Sequence, residues 1–451
     1  MNIYILLSII FLLLVTAYLS CKRDIMAPSV LLTAGYMMSC ISCIYNIGNW
    51  GVELQFYTCF LIVLGIVSFQ LGDFIHNSTH RQKLFSSNEI TQATEIKISN
   101  FVILFFILYN LVVLYLSIRE ILTMASGLQT TLGNAIGQFR NAYSYTDFRV
   151  NTLNVQLFKV SRGAAYIFAY VFFNNIFAKK KSIMRNIKYI IPIVTYALIT
   201  LTRGGRTNAI MMLIAMLFLF YYHWHKKVGW NRNVSIKFVK WIFVALVAFS
   251  ILFFGTRELV GRKETTPFLE YLTTYIGGSY QLLDQYLKDG SFISDNLETF
   301  PGIIQSLEKM GILASSFHKS LEFRYSPTGV YLGNVYTGLR RYYHDFGIPG
   351  IIIIQLLYGY LFSAMYSKIK KMRFMDSGRA FFVTTYSSIL FCIMTQSIED
   401  HFWIDLSLGF VVELFVAYII TKVIMDYQFQ GKLRIRHHKW SEKEHLIPKD
   451  R

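Results

Sequence analysis

Long apolar runs, not alternation, organise this chain. Stretches close to the ~20 residues a helix needs to cross a bilayer recur from end to end. They predict about eleven spans, at 2–20, 25–46, 54–75, 97–118, 157–178, 187–202, 207–223, 236–254, 347–367, 380–398 and 404–424. The first run has no basic region ahead of it, since Lys22 and Arg23 follow Ile3–Leu19, so it reads as an uncleaved span and not a signal peptide. Between residues 255 and 346 the pattern changes. Leu269, Leu272, Ile276, Leu282, Leu283 and Leu287 are spaced for amphipathic helices lying on the membrane surface. The same stretch is rich in tyrosine (Tyr271, Tyr275, Tyr280, Tyr286, Tyr325, Tyr331, Tyr336, Tyr342, Tyr343), fit for interfacial anchoring or for stacking on sugar rings. The expected class is an all-α polytopic membrane protein. Its expected divisions are 1–254 with eight spans, 255–346 as one long, partly helical external loop, 347–424 with three spans, and a basic tail at 425–451.

Composition agrees with that pattern: 54% of the 451 residues are hydrophobic and 16% are charged, against about a quarter charged in soluble domains. The formal charge of +18 raises the question of nucleic acid, and its distribution answers it. Lys179–Lys181 with Arg185 and Lys188 form one basic connection, and Lys226-Lys227 with Arg232, Lys237 and Lys240 another. Lys368, Lys370, Lys371 and Arg373 form a third, and Lys432, Arg434, Arg436 and Lys439 lie in the tail. All four fall on one side when the spans are counted as above. Short Lys/Arg-rich connections stay in the cytoplasm, so the N-terminus is expected outside, the C-terminus inside, and no nucleic-acid partner. Five cysteines lie in or beside apolar runs, and Cys40-x-x-Cys43 has no second pair to complete a metal site. No internal repeat stands out, which weakens transporter readings built on duplicated halves.

With that orientation Arg119–Gln156, Arg203–Arg206 and Gly255–Phe346 face outward. Arg203-Gly204-Gly205-Arg206 joins two apolar runs that carry no carboxylate, and cations at a membrane boundary without a counter-charge are expensive or functional. The glycines permit a tight turn and close backbone approach. The next helix starts at about Arg206, with its positive end outward, which makes the turn a candidate anion site. Arginines that only snorkel to lipid headgroups are the alternative. Other external cations near the membrane are Lys159, Arg162, Arg257, Arg340 and Arg341. A second constellation, Asn334–Gly350, offers Arg340 and Arg341 for an anion and His344 and Asp345 for proton transfer. Glu399-Asp400-His401 is a third, able to act as base or as counter-ions, or to be solvated turn charges. Asp405 follows one turn later.

Leu201-Thr-Arg-Gly-Gly-Arg-Thr207, followed by Asn-Val-Tyr-Thr…Arg-x-Tyr-Tyr-x-Asp-Phe-Gly…Gly over Asn334–Gly350, resembles the Wzy-type oligosaccharide repeat-unit polymerases, the O-antigen polymerases of bacterial inner membranes. The likeness extends to the span number, the basic cytoplasmic connections and the long loop before the last three spans. It implies a GT-C-like, inverting-type membrane glycosyltransferase. Such an enzyme transfers a growing chain from undecaprenyl pyrophosphate to a hydroxyl of an incoming lipid-linked repeat unit on the periplasmic face. No nucleotide sugar, other cofactor or metal is implied, and no Asp-x-Asp clamp occurs. In that frame Arg203, Gly204, Gly205 and Arg206, with Arg162, Arg257, Arg340 and Arg341, would bind the pyrophosphate. His344, Asp345, Glu399 or Asp400 would accept the proton. Asp345 occupies a matched position of the motif and His344 a variable one. Expected partners are the lipid-linked oligosaccharide, membrane lipid and, as an open question, a chain-length regulator. An O-antigen ligase using the same donor, a flippase or other transporter, and a structural membrane scaffold are the competing readings.

Overall fold

The computed structural model describes residues 2–79, 94–125, 131–145, 148, 150–178, 183–230, 240, 244, 247, 255, 267–289, 297–313, 321–372, 375–430 and 434–437. The span expected at 236–254 lies almost wholly outside them, as do Arg257, Lys179–Lys181, Arg232, Lys237, Arg373, Lys432 and Lys439. In chain order the helices are α1 (Asn2–Ser20), α2 (Pro28–Tyr45), α3 (Ile47–Trp50), α4 (Phe56–Thr79), α5 (Asn100–Met124), α6 (Leu132–Tyr145), α7 (Thr152–Phe177) and α8 (Ile183–Asn186). There follow α9 (Ile191–Thr202), α10 (Thr207–Val228), α11 (Phe268–Asp289), α12 (Pro301–Lys309), α13 (Leu339–Lys370), α14 (Ser377–Met394), α15 (His401–Asp405) and α16 (Leu408–Asp426).

Among the described residues eight helices are long and apolar enough to cross a membrane: α1, α2, α4, α5, α10, α13, α14 and α16. This is an all-α, polytopic membrane architecture. Two expected spans have a different character. The run at 187–202 becomes a short 3-10 turn and the 12-residue α9, which at 1.5 Å per residue falls short of the ~30 Å hydrocarbon core. The run at 157–178 sits inside the 26-residue α7, which also carries Asn154, Lys159 and Arg162. The strands are two small ribbons, Arg324–Tyr325 with Tyr331–Gly333 and Tyr427–Gln430 with Arg434–His437.

The chain groups into two compact units that interleave along the sequence. Unit 1 takes Met1–Leu84, Thr265–Lys368 and Phe391–Val411; unit 2 takes Phe85–Glu264, Ile369–Leu390 and Val412–Arg451. The grouping brings α11 and α13 together with the first helices of the chain.

In unit 1, α11 lies along α2. Tyr280 donates its hydroxyl to the Tyr36 carbonyl at 2.8 Å, and Ser279 donates to the Ser397 carbonyl at 2.7 Å. The Asp284 carboxylate accepts the Gln55 N–H at 2.8 Å and the Thr58 hydroxyl at 2.6 Å, which anchors the start of α4. Leu282 and Leu283 are fully buried while Leu269 stays exposed. The helix expected to lie on the membrane surface is therefore a packed member of the unit. Gly277, where a Cβ would lie 2.6 Å from the Cys43 backbone nitrogen, permits the close approach to α2 that counting leucines did not reveal.

In unit 1, α4 and α13 meet backbone to backbone. A Cβ on Gly72 would lie 2.1 Å from the Leu356 carbonyl oxygen, and one on Gly359 would lie 2.1 Å from that of Phe69. Near the end at which both helices finish, the buried Asp73 carboxylate accepts from Ser29, from Ser363 at 2.5 Å and from Asn77 at 2.7 Å. Asp24, also buried, accepts from the Tyr366 hydroxyl at 2.9 Å. At its other end α13 is broken: Gly347 has φ +61° and ψ −150°, a region essentially closed to residues with a Cβ. Pro349 lacks the N–H that would continue the ladder. The segment before the break folds back so closely that a Cβ on Gly350 would lie 2.5 Å from the Tyr342 carbonyl oxygen. Residues 339–346 thus form a short helix of their own, carrying most of the second constellation.

In unit 2, α5, α7, α9 and α10 pack together. Arg162 on α7 makes an ion pair with Glu413 on α16, Nε to Oε1 at 3.1 Å. Amphipathic α6 closes a small cluster formed by Ile121, Ala125, Ala135, Ile136 and Phe139.

Candidate functional site

The arginine turn belongs to unit 2. Arg203 follows the last residue of α9, and Arg206 is the residue before α10. The Arg203 guanidinium lies 4.9 Å from the Phe158 ring centroid, and its Nη1 donates to the Asn154 carbonyl at 3.5 Å. Burial holds it below the ordinary arginine value and Glu120 pulls it back up, but arginine remains a cation at any physiological pH. Glu120 accepts from the Asn151 N–H at 2.6 Å and from the Asn154 side chain at 2.7 Å. The turn therefore does have a carboxylate in its surroundings, brought from α5 and invisible in the flanking sequence. Arg206 is 6% exposed. Among the described residues no side chain caps α10, so its first N–H groups and positive dipole end are left for another acceptor. Arg162, paired with Glu413, has its charge compensated.

The two glycines of the turn do different jobs. Gly204 has φ +74°, and a Cβ there would lie 2.9 Å from Arg140 Cβ, whereas a Cβ on Gly205 would meet nothing within 4 Å. Gly204→Ala is expected to destabilise by about 1–3 kcal/mol, and Gly205→Ala to leave stability unchanged. Thermal unfolding of the two variants in detergent checks the difference.

The second constellation lies in unit 1. Arg340, 3% exposed, has Tyr286 and Tyr336 rings on either hand, each centroid 4.4 Å from its guanidinium carbon. Its Nη2 lies 2.9 Å from Glu322 Oε2 and 3.7 Å from Glu298 Oε1. Glu322 in turn meets Arg324, which also pairs with Asp289. Burial disfavours the Glu322 carboxylate, but Arg340 and its other neighbours hold it below the usual range. His344 Nδ1 is 2.6 Å from the Tyr286 hydroxyl, and Nε2 is 4.0 Å from Glu298 Oε1. Burial pushes the Tyr286 phenol up to about 12. A phenol that keeps its proton can donate into Nδ1, leaving the neutral ring's proton on Nε2, towards Glu298.

Arg341 and Asp345, one helical turn apart, act as a clasp. Arg341 donates to the Glu298 carbonyl at 3.1 Å, and the Thr299 hydroxyl donates to the Arg341 carbonyl at 3.0 Å. The Asp345 carboxylate accepts the Glu298 N–H at 3.0 Å and the Thr299 N–H at 2.7 Å. These bonds hold the 298–299 backbone, and with it the Glu298 side chain, against the short helix.

Asp400 is 1% exposed, not a solvated turn charge. It accepts the Tyr342 hydroxyl at 2.6 Å and caps α15 through the Trp403 N–H at 3.4 Å. Burial raises its carboxyl to about 6, against the pull of Tyr342, Trp403 and Arg341. Glu399, partly exposed, has His401 Nε2 3.8 Å away. An acid whose folded value is raised binds extra protons in the folded state. Stability is accordingly expected to fall as pH rises from about 4 to about 6 and to level off above. If Asp400 is the base, turnover climbs over the same upper limb. Asp400→Asn is expected to flatten both profiles, read by unfolding and by polymer yield across pH 4–8.

Of the residues singled out in the sequence, the structure places Arg203 and Arg206 at one turn of unit 2 and Arg340, Arg341, His344 and Asp345 on one short helix of unit 1. Sequence reasoning missed Glu298, Glu322, Tyr286 and Tyr336 as the surroundings of Arg340, and Glu120 and Asn154 as those of Arg203. The tyrosine richness of the loop was the signal available for two of them. Compared with protein-family models, curated proteins and solved structures, the chain matches none.

Proposed function

We propose that this chain is a Wzy-type polymerase. It would have about eleven spans with the N-terminus outside and the C-terminus cytoplasmic, and would join undecaprenyl-pyrophosphate-linked repeat units on the periplasmic face of a bacterial inner membrane. The observation that carries the reading is the Arg203–Arg206 turn. It sets two largely buried guanidiniums at the uncapped start of a 22-residue helix, with open space at Gly205. Forked donors, a helix dipole and room beside the backbone suit a multiply charged phosphate.

Arg203 and Arg206 neutralise the pyrophosphate as it departs from the anomeric carbon. Preorganised charge aimed at developing charge is often the largest catalytic contribution. The proton of the attacking hydroxyl passes to a base among His344, Glu399 and Asp400, of which Asp400, with its carboxyl raised to about 6, is matched to that work near neutral pH. Asp345, engaged with two backbone N–H groups, fits a positioning role better. Purified protein supplied with synthetic undecaprenyl-pyrophosphate repeat units should yield a ladder of polymer lengths. No ladder refutes the proposal, and transfer to a lipid A-core acceptor would identify a ligase.

A further inference from the structure

Arg340 carries a positive charge, yet its surroundings do not favour an anion. Asp289, Glu298 and Glu322 stand against Arg324 and Arg340, three carboxylates to two guanidiniums, so this group is negative by one charge. A pyrophosphate brought here would meet net repulsion. The cluster nevertheless has unused hydrogen-bonding capacity. Among the described residues, Arg340 Nε and Nη1 and Glu298 Oε2 are buried without a hydrogen-bond partner, as is Oγ1 of Thr337, whose carbonyl accepts the Arg340 N–H at 3.0 Å. Leaving such groups unmatched is costly, and more so where they are charged. A ligand satisfying them must offer acceptors to Arg340 and a donor to Glu298 together. A metal cation cannot accept from Arg340, and a phosphate monoanion or dianion is opposed by the net charge. A neutral polyol, with a donor and an acceptor in every hydroxyl, meets both demands. Tyr286 and Tyr336 hold the guanidinium faces, so its edge is what remains for the ligand. Glu322 and Glu298, with side chains 41% and 17% exposed, are the members of the cluster that reach the surface.

We propose that Glu298, Arg340 and Thr337 form a carbohydrate subsite of unit 1 that binds an uncharged sugar of the acceptor repeat unit. A sugar hydroxyl donates to Glu298 Oε2, and a neighbouring sugar oxygen accepts from Arg340 Nη1 or Nε. The Arg341–Asp345 clasp is the positioning device for Glu298. The assignment rests on the polymerase reading for the identity of the sugar, but its chemistry is tested without turnover.

The protein in lipid nanodiscs would be titrated with two probes. One is the lipid-free oligosaccharide released by mild acid from lipid-linked single repeats of the producing cells; the other is inorganic pyrophosphate. The wild type is expected to bind the oligosaccharide. Glu298→Gln and Thr337→Val should each weaken that binding by about tenfold or more while leaving thermal unfolding and pyrophosphate affinity unchanged. Absence of oligosaccharide binding by the wild type would overturn the subsite. So would unchanged saccharide affinity in both variants, or an Arg340→Lys protein that loses pyrophosphate and keeps saccharide. Polymer assays on the same samples separate the two proposals. Saccharide binding that depends on Glu298 without any polymer retains the subsite and refutes the polymerase. A ladder from protein whose saccharide affinity ignores Glu298 does the reverse.

Discussion

Arg203→Lys and Arg206→Lys proteins should accumulate in the membrane at normal levels and make no long polysaccharide, leaving lipid capped with a single repeat. The expected loss is on the order of a hundredfold or more in polymer yield, the scale of removing one preorganised donor from a developing charge. Lysine preserves the positive charge and so the coarse electrostatics. What it removes is the planar fork, which can meet two phosphate oxygens at once and, at Arg203, sits over the Phe158 ring. Gel analysis of lipid-linked saccharides from cells carrying each variant reads the outcome. A normal ladder from either one would show that the turn does not hold the leaving group.

The second large effect concerns assembly. Gly72→Val and Gly359→Val should each prevent the native packing of unit 1, because the added Cβ would start 2.1 Å from a backbone carbonyl oxygen of the facing helix. No rotamer relieves a clash with backbone, so α4 and α13 must separate. Overpacking of this kind costs about 1–3 kcal/mol where side chains can adjust and more where they cannot. Gly48→Ala, where a Cβ meets nothing within 4 Å, is the matched control and should be neutral. Unfolding midpoints in mild detergent would check both. A Gly72→Val protein as stable as the control would mean that the two helices do not meet as described.

Much of the fold was legible because a bilayer imposes a length on apolar runs. The starts and ends of α1, α2, α4 and α10 fall within a few residues of the expected spans. The run at 187–202 differs from these: after a short turn, Pro192 and the apolar residues that follow form a 12-residue helix. The loop helix α11 differs in another way: its leucine spacing is amphipathic, but Gly277, set against Ser42 and Cys43, lets it pack on α2. For the site, sequence could mark isolated arginines, histidines and carboxylates. It could not supply their neighbours, because Glu120 reaches Arg203 from across unit 2, and Glu298 reaches Arg340 from 42 positions earlier in the numbering. The expected absence of counter-charge was a statement about adjacency along the chain, and electrostatics follows distance in space. His344 is a case in point. Alone it read as a candidate base, and with Tyr286 and Glu298 around it becomes one member of a hydrogen-bonded group.

The buried carboxylates at the far end of unit 1 bear on how the chain is made. Asp73 accepts from Ser363, 290 residues further along, and Asp24 accepts from Tyr366, 342 residues further along. A ribosome adding about 5–20 residues per second needs at least about 15 seconds to cover either distance. Throughout that interval α4 resides in the membrane with Asp73 held by Cys21, Ser29 and Asn77 and without Ser363. The first three long helices are thus inserted as an incomplete sub-bundle with acceptor capacity in reserve. The arrival of α13 closes it, which makes the last third of translation the step at which unit 1 acquires its final stability.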